Sequence, residues 1–396
     1  MNEHLREGPV AHGSGGDEAC VLTDARIVLR DRVIESGWLA VEGGRIAEIG
    51  EGRAPERGIS LAGDILIPGL VELHTDHLET HIQPRPKVLW PIDAALQSYD
   101  LQIAGSGITT VYDCLRVGVD ADNEDEAGDR ITAIAEALGR ASAAGILRAE
   151  HHTHLRCEVC SHDVIVALDR FLARCPVALI SIMDHTPGQR QFRDIEKLRT
   201  YYRGKLSMSE SELEAFFAER IALHEANAEP HRRAIVERAH AAAIALASHD
   251  DTTLDHVAES LADGVAIAEF PTTAEAAKAS VEGGIAVMMG APNIIRGGSH
   301  SGNVAAIELA EAGTLNVLSS DYVPASLLHA AFELPRLVTS ISLPHAIATV
   351  TANPAAAVGL DDRGEIEVGR RADLVRVAAA AVPVVQSVWR GGRRVC

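Results

Sequence analysis

Eight short apolar runs, each followed by a stretch of helical character, constrain this chain more than any other feature. They read "ILIPGLVELHTD", "TTVYDCL", "ILRAEHHTHL", "VALISIMDH", "AIALASHDD", "AIAEF", "IAVMMGAP" and "LNVLSSD". A strand that alternates with a helix must bury both of its faces, and eight such units close most naturally into a parallel α/β barrel. The expected fold is therefore a (β/α)8 TIM-type barrel over residues 64–359. Aromatic residues make up only 4% of the chain, so its core must come from Ala, Val, Leu and Ile.

The two ends read differently. Residues 20–63 alternate apolar and charged positions, with a hairpin turn at Gly43-Gly44; residues 360–396 do the same, with a turn at Gly391-Gly392. Both ends are expected to pair into one small discontinuous β-sandwich domain. Residues 1–19 are polar and Gly-rich and read as a disordered tail. Residues 190–243 interrupt the barrel pattern as a charged helical insertion. Within it, Ser209 and Glu212 form a capping box before Leu213, Phe216 and Phe217. An ordinary surface hairpin and a lid or oligomer contact are equally good readings of this insertion.

The formal charge of −20 argues against nucleic-acid or anionic-membrane partners. No run of about 18 apolar residues is present, so no membrane span is expected. Six cysteines in so long a chain read as reduced thiols of a cytoplasmic protein, and Cys157-x-x-Cys160 as incidental.

Polar clusters stand at the ends of the strand runs, where such barrels carry their chemistry. His74 and Asp76 lie two apart on one strand face and suit a divalent cation, with His77, Glu79 and His81 next to them. His152 and His154 share a face with Glu150; Arg156 and Glu158 follow. Asp184 and His185 end the fourth run, with Gln189 and Arg190 beyond. His249 ends the fifth, before Asp250 and Asp251. Asp321 ends the eighth, where a carboxylate can hold a cation or accept a proton. The loop Arg296, Gly297, Gly298, Ser299, His300, Ser301 is rich in donors and is the first choice for a phosphate contact. Arg156, Arg190 and Arg85 come next. Neither a Gly-x-Ser-x-Gly elbow nor a dinucleotide fingerprint is found.

"PGLVELHTDHLE", "TANPAAAVGL" and "GEIEVGRRADLV" resemble amidohydrolase motifs. "HLRCEV", "DHTPGQRQF", "SHDDTT", "EFPTT", "GAPNIIRGGSHSGN" and "SSDYVPASLL" together resemble one subgroup, the α-D-ribose 1-methylphosphonate 5-triphosphate diphosphatases of the carbon–phosphorus lyase pathway. The resemblance implies hydrolysis between the α and β phosphates, releasing pyrophosphate and the 5-phosphate. It implies a divalent metal, one or two ions of Zn, with Mg accompanying the polyphosphate. His74 and Asp76 take the places of the superfamily's His-x-His pair. Glu158 stands for the bridging carboxylate, His185 and His249 for further ligands, and Asp321 for the last-strand Asp that takes the proton of the attacking water. His77 stands where some relatives carry Asn. A homo-oligomer is the usual state of such barrels. A cyclic amidase or deaminase on the same fold is the alternative.

Overall fold

The computed structural model describes residues 19–118, 124–190, 199, 209–299 and 302–396. The expected tail, apart from Ala19, lies outside these residues.

The first strands are β1 (Cys20–Val28), β2 (Val33–Glu42), β3 (Arg45–Glu51), β4 (Ile59–Ser60) and β5 (Ile65–Pro68). The barrel strands are β6 (Leu70–Thr75), β7 (Ile108–Val117), β8 (Glu150–Glu158), β9 (Leu179–Met183), β10 (Ala245–His249), β11 (Ile267–Glu269), β12 (Ala286–Gly290) and β13 (Val317–Ser319). Strands β14 (Leu374–Ala378), β15 (Val384–Arg390) and β16 (Arg393–Arg394) end the chain.

Strands β6 to β13 pair in chain order, all parallel. A bridge between Thr75 and Asp321 joins the last strand to the first and closes the barrel. Glu72 stitches the same seam, accepting the backbone N–H of His74 (2.7 Å) and of Ser320 (2.5 Å). Burial pushes the Glu72 carboxyl up to about 8. Inside the barrel, Val71, Leu73, Tyr112, Leu179, Ala247, Ile267, Met288 and Val317 form a plug with a single aromatic ring. It is a packed core, as side-chain layers in such barrels require.

The remaining strands form one sheet in the order β16-β15-β14-β5-β1-β2-β3, with β4 beside β1. The sheet curls around Leu22, Leu39, Ile46, Leu66, Leu374 and Trp389. Its two Gly-Gly turns meet: a Cβ on Gly44 would lie 2.9 Å from the Gly391 carbonyl oxygen. The expected pairing of the chain ends is thus direct.

The first strand run needs a correction. It divides at Gly69: Ile65–Pro68 joins the end sheet through β1 and β14, and only Leu70–Thr75 enters the barrel. The chain crosses between the sheets where a Cβ on Gly69 would lie 2.2 Å from Thr109 Oγ1, so only glycine fits.

The insertion contains a helix over Glu210–Ala241 that begins with the Ser209/Glu212 capping box. Residues 191–198 and 200–208 of the insertion lie outside the described residues. The helix leans on the ends of β8 and β9. His231 Nδ1 donates to the Val159 carbonyl (2.9 Å), Asn227 Nδ2 to that of Cys160 (3.1 Å), and His224 pairs with Asp184 (2.8 Å).

On the outer side of the barrel, helix Ile92–Gly105 covers a buried charge relay. The Tyr99 hydroxyl donates to Asp113 (2.7 Å), and His151 donates to Asp113 (2.8 Å) and Asp100 (3.3 Å). Burial opposes a charge on His151, but Asp113 and Asp100 prevail and lift it to about 9. This folded value lies above the unfolded value of about 6.5. The stabilisation is therefore complete below pH 6.5 and lost as pH rises through about 9. Urea titrations across that window should show a loss of about 3 kcal/mol in the parent protein. A His151→Gln variant should show a flatter profile; equal slopes would exclude His151 as the source.

Candidate metal centre

Strand β8 shows how the site is laid out. Its even-numbered residues share the barrel's inner face. At the bottom, Glu150 pairs with Arg363 (3.1 Å) and Arg371, both from the segment entering the end sheet. Above it, His152 stacks on Tyr112 at 4.8 Å between ring centroids. Next comes His154, fully buried, donating Nδ1–H to the Leu73 carbonyl (2.8 Å). Burial lowers His154 to about 3, so it is neutral at physiological pH. Arg156 and Glu158 end the row at the mouth. One face thus runs from structural anchoring to chemistry, and the sequence grouping of Glu150 with the two histidines joins residues of different depth.

Five of the six candidate ligands follow one another around the mouth, and the sixth, Asp76, is held by Arg156. His74 and His249 stack with centroids 5.7 Å apart, and His249 meets His185 edge-on at 5.5 Å. His185 donates to Glu158 through both its backbone N–H (2.9 Å) and Nδ1 (2.6 Å). The backbone N–H of Asp321 donates to the His74 carbonyl (3.1 Å), and Asp76 accepts from Arg156 (3.4 Å). Burial would raise the Glu158 carboxyl, but His185 and Arg116 hold it well below the usual range. Asp321 shifts the other way, through burial and then through the neighbouring charge of Asp76.

At the centre stands a residue that the sequence reading did not assign. Glu269, the last residue of β11, is fully buried and accepts from His74 Nδ1 (2.9 Å), His249 Nδ1 (3.0 Å) and the Ser181 hydroxyl (2.7 Å). Burial alone would raise its pKa, yet the adjoining His74 and His249 hold it well below the carboxylate range. With both Nδ1 atoms turned to Glu269, the Nε2 atoms of His74 and His249 face away from it, that of His249 toward Asp250 (3.5 Å). A carboxylate fixing the other ring nitrogen is the common partner of a metal-binding histidine. The available signal was a charged residue closing the apolar run "AIAEF".

The backbone is strained at this rim. Asp250, Phe270 and Asp321 all adopt positive φ (58°, 55° and 54°) directly beyond the ends of β10, β11 and β13. Such conformations cost on the order of 1–3 kcal/mol each and cluster at functional sites. Phe270 thereby sets its ring edge-on against His74 (5.0 Å) and His249 (5.4 Å).

Donor atoms of His185, His249 and Asp250 lie within 4.8 Å of one another; those of His74, His249 and Glu269 do too, but there the carboxylate takes the two imidazole N–H groups. Imidazole and carboxylate groups converging in a buried pocket fit a divalent ion such as Zn. The cysteines are all free. Cys157 packs in the shell between strands and helices, whereas Cys160 lies against Glu158 (3.4 Å).

The proposed anion contacts separate. Arg156 lies inside the site. Arg190 is buried in ion pairs with Asp251 and Glu259. Arg85 is exposed. Arg296 is exposed at the end of the short helix Ala291–Arg296, which Gly297 caps at φ 77°. Gly298 follows, and Ser299 Oγ accepts from the Asn303 N–H (3.3 Å). His300 and Ser301 lie outside the described residues. The first amide of the next helix region, that of Ala305, is taken by Glu308 (3.3 Å).

The model of the amidohydrolase family matches residues 220–396. Two solved structures share the fold at low identity. N-acetyl-D-glucosamine-6-phosphate deacetylase from Mycobacterium smegmatis is 16% identical, with a TM-score of 0.63 over 95% of this chain and 100% of that one. 5-Methylcytosine deaminase from Klebsiella pneumoniae is 15% identical, with a TM-score of 0.62 over 95% and 97%. Much nearer is the α-D-ribose 1-methylphosphonate 5-triphosphate diphosphatase of Escherichia coli K12, 46% identical over 379 residues, which are 95% of this chain and all of that one. With its barrel, its end sheet and this likeness along nearly its whole length, the chain belongs to the amidohydrolase family and, within it, groups with that diphosphatase.

Proposed function

We propose that this protein hydrolyses α-D-ribose 1-methylphosphonate 5-triphosphate to the 5-phosphate and pyrophosphate, with one or two Zn ions held by His74, Asp76, Glu158, His185, His249 and Asp321. The observation that carries the reading is the 46% identity to the E. coli diphosphatase over 95% of the chain. The closeness of His185, His249 and Asp250, and the fixing of His74 and His249 by one carboxylate, support a metal site here.

A divalent ion, when bound, acidifies water and draws charge from a phosphoryl oxygen. The chain's own groups do the rest. Asp321, half-buried just beyond β13, would take the proton of the attacking water. His74 and His249, held at Nδ1 by Glu269, keep their orientation without reorganisation. Arg156, tethered to Asp76, supplies positive charge inside a strongly acidic protein and would offset the charge of an anionic leaving group. Arg296 and the loop from Gly297 to Ser301 stay candidates for the outer phosphates, which Mg would accompany.

Phosphorus NMR of the zinc-loaded protein with the triphosphate tests the proposal. Pyrophosphate and the 5-phosphate should appear without orthophosphate. An unchanged spectrum with metal bound would reject the proposal in favour of a cyclic amidase or deaminase.

No described helix is long and apolar enough to cross a membrane. A cytoplasmic homo-oligomer belongs to the same proposal. The run Val88, Leu89 and Trp90, each about half exposed, is the apolar surface that supports self-association.

A further inference from the structure

Arg190 follows Gln189 in a stretch that reads as an anion contact, yet its guanidinium is only 6% exposed and already engaged. Nη1 donates to the His249 carbonyl (3.3 Å) and to the Asp251 carboxylate; Nη2 donates to Glu259 (3.1 Å). Asp251 is itself fixed by the hydroxyls of Ser248 (2.6 Å) and Ser260 (2.9 Å). Three carboxylates, Asp251, Glu259 and Asp263, outnumber the two guanidinium groups of Arg190 and Arg232 here, and an incoming polyphosphate would meet the excess negative charge. An arginine that binds phosphate presents its fork to the ligand; this fork is spent inside the protein.

What the fork holds is informative. Arg190 lies five residues beyond His185, on the segment leaving β9. It grips the carbonyl of His249 itself, at the end of β10. The two histidine rings so linked stand 5.5 Å apart. Glu259 carries the link outward: its Oε2 also accepts from Arg232 Nη1 (3.0 Å) of the insertion helix, and Arg232 Nε holds Asp263 (2.6 Å).

We infer that Arg190 is a positioning residue that sets the spacing of His185 and His249, and that Glu259 ties the insertion helix to that spacing through Arg232. The insertion is then a strut for one half of the metal centre. The inference rests on the proposed roles of His185 and His249 as ligands.

The test compares Arg190→Lys and Glu259→Gln with the parent protein. Zinc affinity is measured by chelator competition, and kcat and KM with the triphosphate. A lysine keeps the charge but cannot span three acceptors with a planar fork. It should weaken zinc binding about 10–100-fold and lower kcat, with KM within about twofold. Glu259→Gln should do the same to a smaller degree. That side chain is 43% exposed, so the variant serves if Arg190→Lys does not fold. A KM raised tenfold with zinc affinity intact would make Arg190 a substrate contact and overturn the inference. Lower melting temperatures with unchanged zinc affinity and kcat would reduce it to packing and overturn it as well. A parent protein inactive on the triphosphate rejects the substrate reading alone, because the zinc comparison needs no substrate.

Discussion

Asp321→Asn should lower kcat on the triphosphate by about 10²–10⁴-fold, the range that a positioned proton acceptor supplies. The substitution keeps the side chain's size and removes only its charge and basicity. The backbone N–H of Asp321 still reaches the His74 carbonyl, so the seam of the barrel stays closed. The melting temperature should therefore stay close to that of the parent, because loss of the charge gives up an attraction to His74 and relieves a repulsion from Asp76. A variant with near-normal kcat would assign the proton to another group, with Asp76 the first carboxylate to examine.

Glu269→Gln should have the second-largest effect. The carboxylate receives three donors: two imidazole N–H groups and one hydroxyl. An amide offers one oxygen and one NH2, so an N–H must face another N–H inside a dry core. The unmet donor costs about 1–3 kcal/mol, read as a lower denaturant midpoint. With His74 and His249 no longer held at Nδ1, zinc affinity should fall about 10–100-fold. Unchanged zinc binding would show that the two rings are positioned by packing against Phe270 instead.

Much of this was legible in the sequence, for identifiable reasons. The barrel strands announce themselves because each must be apolar on both faces and polar at one end, a pattern local to a few residues. The end sheet was visible in two alternating segments with matching Gly-Gly turns. The six candidate ligands stood out because an imidazole or carboxylate that closes an apolar run has few other uses. Glu269 satisfies the same rule, yet a lone glutamate in "AIAEF" gives no hint that two histidines from other strands donate to it; only closure of the barrel creates that triangle. Arg190 failed for a related reason. Beside Gln189 it reads as a free cation, and its partners Asp251 and Glu259 lie some 60 residues further on. Gly69 was hidden inside a continuous apolar run, because the change of sheet depends on its close approach to Thr109.

The placement of the two chain ends bears on how the protein comes into being. Strand β5 sits in mid-sheet, between β1 and β14, and the seam at Thr75 is sealed only by Asp321. A ribosome-bound chain therefore carries two raw strand edges for most of its synthesis, one in each sheet. Both await partners from the last part of the message. Exposed edges of this kind invite pairing with other nascent chains, and such long-range closure is slow. A transcript cut short before β14 would yield a sticky fragment rather than a weaker enzyme, and shielding by a chaperone would matter most during translation.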